Sequence, residues 1–324
     1  MDPNSFGEAL SNSLSLGSIL VLAAIGLAIT FGVMRVINMA HGEMMMLGAY
    51  TAVVITDDQR MPAWINSLGA SLGFEWQVSL NIFVAIPASF LVVGLIGYLL
   101  EVCLIRFLYG RPLDTLLATW GVGLILQQTV NLTFGANLQP TKLPKILEGT
   151  PAFLEGTAFA IPTLRLFILG VTALCLLGVY WWFFKTTSGL KIRAVVQNRP
   201  MAAALGISTR RVDSMTFAFA SGLAGVAGCV LAHLYTVKYN MGGDYVVNAF
   251  MVVTLGGMGQ LAGAVGAAVI IATGISFVEK VIGDYHLMDS PSAMAKVLGL
   301  FLVVAFLLIR PAGLFTTKER SYDA

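Results

Sequence analysis

Eight apolar runs, each long enough to cross a lipid bilayer, constrain this chain more than any other feature. A spanning helix needs about 20 predominantly apolar residues. Such runs fall at 14–34, 36–56, 78–100, 113–134, 163–184, 214–236, 261–278 and 293–310. A shorter run at 246–258 leads into LGGMGQLAGA, which reads either as a tight turn between spans or as a broken, re-entrant segment, so that eight or nine crossings are expected. Backbone polar groups surrounded by lipid have to be satisfied within the segment. The expected fold is therefore an all-α membrane protein, a polytopic helical bundle forming one transmembrane domain over 1–324 with its core at 14–310. Charged residues make up only 11% of the chain, where a soluble domain carries about a quarter. A net charge of +2 leaves no basic field for nucleic acid. The opening MDPNSFGEALSNS lacks the basic start of a signal peptide, so the first run is expected to be retained. Cys103, Cys175 and Cys229 sit in or beside apolar runs without CxxC spacing and read as packed free thiols.

Lys and Arg set the orientation. With the N-terminus outside and nine crossings, twelve of them fall on the cytoplasmic side and seven outside. The loops 57–77 and 135–162 are then external, while the loop 185–213 and the tail 311–324 are cytoplasmic. The Pro-rich loop at 135–162 is either a platform for an external partner or a lid. Glycines at spacings of three and four, such as Gly222, Gly225 and Gly228, allow helix backbones to approach closely in lipid. Gly257-Met258-Gly259 follows no strand and lies between spans, which excludes a nucleotide loop.

Ionisable residues inside a span are costly and usually face a partner or a cavity. Asp114, Arg165, His233 and Lys296 lie within about a turn of a span end and can snorkel. His41 and Glu43, in INMAHGEMMMLG, lie roughly 9 and 12 Å from Arg35 at 1.5 Å per residue. A zinc protease would need HExxH, and a proton relay a deep carboxylate on another span; neither is present. On a regular helix the two side chains point about 200° apart. One is then expected to face the pathway or a helix end while the other staples a neighbouring span, with a purely structural pair as the competing reading. Asn38 and His41, three apart, share a face. In LLATWGVGLILQQTVN, Trp120, Gly123, Gln127 and Asn131 form a second polar stripe, able to contact a substrate or to bond neighbouring helices.

The segment 185–211 holds six Lys or Arg and no acid. Within it Asn198 is a predicted N-cap, Arg199 and Pro200 open a helix, Met201, Ala202, Ala203, Ala204 and Leu205 propagate it, and Gly206 stops it. This short helix is either an interfacial anchor on anionic lipid or a knob for a groove on a cytoplasmic partner. Its small side chains favour the knob. No GxxxxGK[ST] occurs, so an ATPase, if one drives transport, is another chain, and this chain is not expected to be an enzyme.

INMAHGEMMMLGAY, RPLDTLLATWGVGLILQQ, GLKIRAVVQNRPMAAALGI and TLGGMGQLAGAVGA resemble, in that order, motifs of the membrane subunits of branched-chain amino acid and urea ABC importers. The resemblance runs from about residue 14 to Leu314. The second motif is most similar to the urea-type permease, the first of its two permease subunits. The resemblance implies an ABC importer permease fold, a bacterial inner-membrane location and a second homologous permease. It also implies two ATP-binding subunits that use ATP and Mg and engage Asn198 to Gly206, and an extracytoplasmic binding protein. No cofactor is expected on this chain, and no metal. Two related halves are implied as well, although VINMAHGEMMMLGAYTA and VVNAFMVVTLGGMGQLAG are only faintly alike. The shortage of deep charges leans toward urea or short amides, which neutral groups such as Trp120, Gln127 and Asn131 can bind. A branched-chain amino acid importer and a stand-alone urea channel are the alternatives.

Overall fold

The computed structural model describes residues 3–56, 81–151, 161–284, 290–311 and 313–315. The expected loop at 57–77, residues 152–160 of that at 135–162, and residues 312 and 316–324 of the tail at 311–324 lie outside the described residues. Among the described residues the chain folds into eleven α-helices: α1 (Pro3–Met34), α2 (His41–Thr56), α3 (Asn81–Cys103), α4 (Pro112–Phe134), α5 (Thr163–Lys185), α6 (Thr187–Gln197), α7 (Arg199–Ala204), α8 (Thr209–Leu234), α9 (Met241–Gly256), α10 (Leu261–Asp284) and α11 (Pro291–Ile309). The expected all-α bundle is what forms. Six helices (α1 from Leu10, α3, α5, α8, α10 and α11) are long and apolar enough to cross a membrane.

α2 and α9 are different. Each has 16 residues, about 24 Å of helix, short of a hydrocarbon core about 30 Å thick. This corrects the expected continuous span at 36–56. α1 ends at Met34, Arg35 takes a left-handed φ of 55°, and residues 35–40 are irregular. The interruption survives at depth because side chains satisfy the freed backbone. Asn38 Oδ1 accepts the Ala40 N–H at 3.1 Å. On α4, Thr119 Oγ1 accepts the Met39 N–H at 3.1 Å and donates to the Ile37 carbonyl at 3.4 Å. The run at 246–258 belongs to α9, which begins earlier, at Met241. LGGMGQLAGA is a turn rather than a re-entrant segment: Gly257 and Gly259 adopt φ of 99° and 82°, and α10 follows at Leu261.

The arrangement α1, irregular 35–40, α2 recurs as α8, irregular 235–240, α9. The two units run in opposite senses, since Met34 at the end of α1 and Ser214 at the start of α8 meet around Tyr109 and Glu101. The broadest helix contacts, α3 with α8 and α1 with α10, exchange elements between the units. The repeat matches 41–56 with 241–256, placing Gly42 opposite Gly242 and pairing Ala49 with Ala249, Tyr50 with Phe250 and Val53 with Val253 in sequence. Close approach explains the glycine spacing on α8. A Cβ at Gly222 would lie 2.8 Å from the Phe90 ring, and one at Gly225 would lie 2.6 Å from the Ser89 carbonyl.

Candidate functional site

His41 opens α2, so the pair singled out in the sequence stands in the first turn of a short helix. Its depth follows from its neighbours. His41 Nε2–H donates to the Ala23 carbonyl at 2.9 Å, and Ala23 lies eleven residues, about 17 Å, from the Met34 end of α1. Glu43 packs against Gly123, eleven residues from the start of α4, where a Cβ would lie 3.4 Å from Glu43 Cγ. Both side chains therefore sit near mid-depth, deeper than a count from Arg35 gives.

The two side chains part as helical geometry requires. His41 is fully buried and turns toward α1, its ring close against Gly26. Glu43 turns the other way, toward Gly123 of α4 and Gly242 of α9, where a Cβ would lie 2.6 Å from its carboxyl atoms. The start of α2 meets the start of α9 here, Gly42 lying against the Gly242 carbonyl. Two helix N-termini, each carrying partial positive charge, thus converge near one carboxyl group. Asn38 Nδ2, His41 Nδ1 and Glu43 Oε2 are buried and have no hydrogen-bond partner among the described residues. Three such atoms within six residues are far above the norm for a packed interior. Asn38 does not share a helical face with His41, because it precedes the helix and caps the break instead.

The stripe on α4 spans about 80° of one regular helix and grades from packed to open across that width. Gly123 belongs with Thr115 and Thr119 on the packed side. Gln127 and Asn131 are half-buried at its flank, and Trp120 is 54% exposed on the open side with Leu124 and Ile125. α4 thus has one wall on the Glu43 site and another facing outward.

The predicted short helix forms as α7. Asn198 Oδ1 accepts the Met201 N–H at 2.9 Å, and Pro200 lies in the first turn. Gly206, at φ 82°, ends it with two bonds, Gly206 N–H to Ala203 and Ile207 N–H to Ala202, each at 3.0 Å. Ala202 is buried, whereas Met201, Ala203, Ala204 and Leu205 face outward.

A buried polar cluster that the sequence reading missed anchors this helix. Arg199 forms an ion pair with the fully buried Asp213 of α8, and its guanidinium lies 5.4 Å from the Tyr109 ring centroid. The Tyr109 hydroxyl donates to Glu101 of α3 at 2.9 Å and lies 3.5 Å from Met34 Sδ of α1. Arg106 donates to Glu101 at 3.3 Å and to Ser214 at 3.0 Å, and Ser214 in turn donates to Glu101. Burial, with the Asp213 and Glu101 carboxylates beside it, pushes the Tyr109 phenol well above its usual range. The signal was present, since Asp213 is the only acid between Glu155 and Asp244 and it follows a basic loop. Glu101 and Asp213 fall just beyond the apolar runs 78–100 and 214–236, where loops were expected; the helices extend past those limits and bury both.

The family described as "branched-chain amino acid transport system / permease component" matches residues 9–307. The chain belongs to that family. As a member of that permease family it is a membrane subunit and not an enzyme. It is 29% identical over 317 residues to the high-affinity branched-chain amino acid transport system permease protein BraD of Pseudomonas aeruginosa, covering 96% of each chain. It is 26% identical to the corresponding LivH protein of Escherichia coli, covering 97% of this chain and 96% of that one. A probable LivH permease of Methanocaldococcus jannaschii is 26% identical, over 94% of this chain and 91% of that one. No solved structure matches the chain.

Proposed function

We propose that this chain is a permease subunit of an ATP-driven importer for branched-chain amino acids, not for urea. The observation that carries the reading is Glu43, a carboxyl at mid-depth with a buried, unpartnered oxygen, beside the converging N-termini of α2 and α9. A zwitterion needs compensation for both of its charges inside lipid. Glu43 suits an ammonium group, and the helix N-termini suit a carboxylate, as half-helix ends do in other transporters. Urea requires neither. The relatives named above carry branched-chain amino acid descriptions, which supports the same substrate class.

In this reading a second, homologous permease packs on the open wall of α4 beside Trp120, while Glu43 lines the pathway on the inner wall of the same helix and Gln127 and Asn131 flank it. Two ATP-binding subunits, using ATP and Mg, engage α7 from the cytoplasm, and an extracytoplasmic binding protein delivers substrate to the opposite end. The Arg199–Asp213 pair and the Glu101–Tyr109–Arg106 cluster carry the motion of α7 into α8, α3 and α1. The N-terminus is outside and the C-terminus cytoplasmic, in keeping with Arg106, Arg111, Lys185, Arg199 and Arg211 lying at the α7 end.

The test is uptake of labelled leucine and labelled urea by cells with and without this chain. Leucine uptake is expected to depend on it. Urea uptake that depends on the chain while leucine uptake does not would overturn the substrate assignment.

A further inference from the structure

Beside α7 the surface holds a cleft of about 550 Å³ whose walls include Trp182, Ser188, Lys191, Leu205, Ser208 and Arg211. It contains two cations and two hydroxyls, and no acid. Lys191 and Arg211 are both exposed, and neither forms an ion pair among the described residues. The cleft also opens on the start of α8, where Ser208 makes no side-chain capping bond. This is a surface complementary to an anion.

The cleft does not end at the basic rim. Trp182, Ser188 and Met215 also border a second, apolar groove of about 420 Å³ that runs along α3 past Tyr98, Leu95 and Leu91. The Trp182 ring stacks on Phe219 where the two meet, with centroids 4.0 Å apart and planes at 23°. α3, α5 and α8 are each long and apolar enough to span a membrane. Phe90 at the far end of the groove lies thirteen residues from Cys103, so the groove reaches about 20 Å along α3 from its inner end. A basic pocket at a helix end, an aromatic ring where the two cavities meet and an apolar groove that follows α3 from Tyr98 to Phe90, about 12 Å, form one continuous path.

We propose that the two cavities are a single binding site for an anionic phospholipid of the leaflet at the α7 end. The headgroup phosphate lies between Lys191 and Arg211, and one acyl chain passes Trp182 and Met215 into the groove beside α3. Charge complementarity selects the anion, since each Lys or Arg near a negatively charged membrane surface contributes to attraction. Depth selects the lipid: a soluble anion leaves the groove empty, and a cytoplasmic protein cannot follow it into the bilayer. The bound lipid ties α5 and α6 to α8 and to the Leu205–Gly206 end of α7, bracing the helix that contacts the ATPases. The site rests on the reading of the chain as a membrane permease, and not on its substrate.

The test uses the assembled importer in nanodiscs of phosphatidylcholine with or without phosphatidylglycerol. Retained lipid is read by native mass spectrometry after mild detergent extraction. Wild type is expected to retain phosphatidylglycerol. Lys191→Gln with Arg211→Gln lowers that retention roughly thirty-fold relative to phosphatidylcholine. Met215→Trp, which fills the groove but keeps both cations, lowers retention of both lipids. Size-exclusion of each variant complex confirms assembly before the comparison. Unchanged phosphatidylglycerol preference in the double variant overturns the site. Complete displacement of the lipid by inorganic phosphate would make it a free-anion site. Protection of Lys191 and Arg211 from chemical labelling by the ATPase subunits, whatever lipid is present, would make it a protein-docking surface. Either result overturns the proposal, and none of these readouts depends on whether leucine is transported.

Discussion

At the scale of single residues, Glu43 and its glycine neighbours concentrate the chemistry of the chain. A hydrogen bond to a charged group contributes about 1.5–3 kcal/mol. Glu43→Gln is therefore expected to weaken leucine transport roughly 10- to 100-fold, in a complex that still assembles, measured as uptake normalised to purified complex. Loss of assembly with normal uptake per surviving complex would instead assign Glu43 to holding helices together. The space it occupies depends on Gly242, because a Cβ there would fall 2.6 Å from the carboxyl atoms. Overpacking of this kind costs about 1–3 kcal/mol. Gly242→Ala is expected to lower the thermal midpoint of the purified complex, and Glu43→Ala in the same chain to restore most of it. His41 belongs to a different task. A carbonyl can only accept, so Nε2 carries the proton toward Ala23, and the ring fastens α2 to α1.

Among the elements, α7 shows how far local rules reach. Asn198, Pro200 and Gly206 specify its start and stop from sequence alone, and the capping bonds fall where those residues place them. What they do not specify is the attachment of the helix. That comes from Asp213, fourteen residues further on, and from Glu101 and Tyr109, a hundred residues back. A carboxylate buried at Asp213 is stable there because Arg199 offsets its charge, and this pairing locks the base of α7 to α8. The outward residues Ala203 and Ala204 are left free of that cluster. Ala203→Asp is accordingly expected to leave membrane insertion intact and reduce ATP-dependent uptake at least tenfold. Uptake into right-side-out proteoliposomes loaded with ATP, with binding protein outside, checks it, and wild-type uptake would remove α7 from the coupling role.

For the molecule as a whole, the two short helices and their breaks organise the fold. Each breaks where a long helix ends, and each starts near the middle of the bundle, so the positive ends of α2 and α9 meet instead of reaching the membrane surfaces. The elements lead to opposite ends of the bundle, which fixes a topology that labelling can read. A single cysteine replacing Met201, 58% exposed on α7, is expected to react with a membrane-impermeant reagent only from the cytoplasmic side. One replacing Leu138, 56% exposed in the loop after α4, is expected to react only from outside, with both tested in a chain lacking the native cysteines. Labelling of both from the same side would reject the orientation.

The apolar runs determined the helical class and most of the crossings, because lipid leaves a polypeptide few ways to satisfy its backbone. Cap chemistry determined α7, and the 200° separation determined that His41 and Glu43 point apart. These are properties of short stretches, legible without knowing what surrounds them. Tertiary structure decided the rest. The break at 35–40 depends on Thr119, some eighty residues away, accepting and donating the bonds that a continuous helix would have made. The in-step repeat of 41–56 with 241–256 rests on few shared residues and on a common backbone path, so the sequence shows it only faintly. Deep charge looked scarce because Glu101 and Asp213 stand at the edges of apolar runs, and only the packing of α3 on α8 reveals that both are enclosed. What lies opposite Glu43 was likewise beyond the sequence: a glycine on a helix two hundred residues further along borders its carboxyl group, whose Oε2 has no hydrogen-bond partner among the described residues.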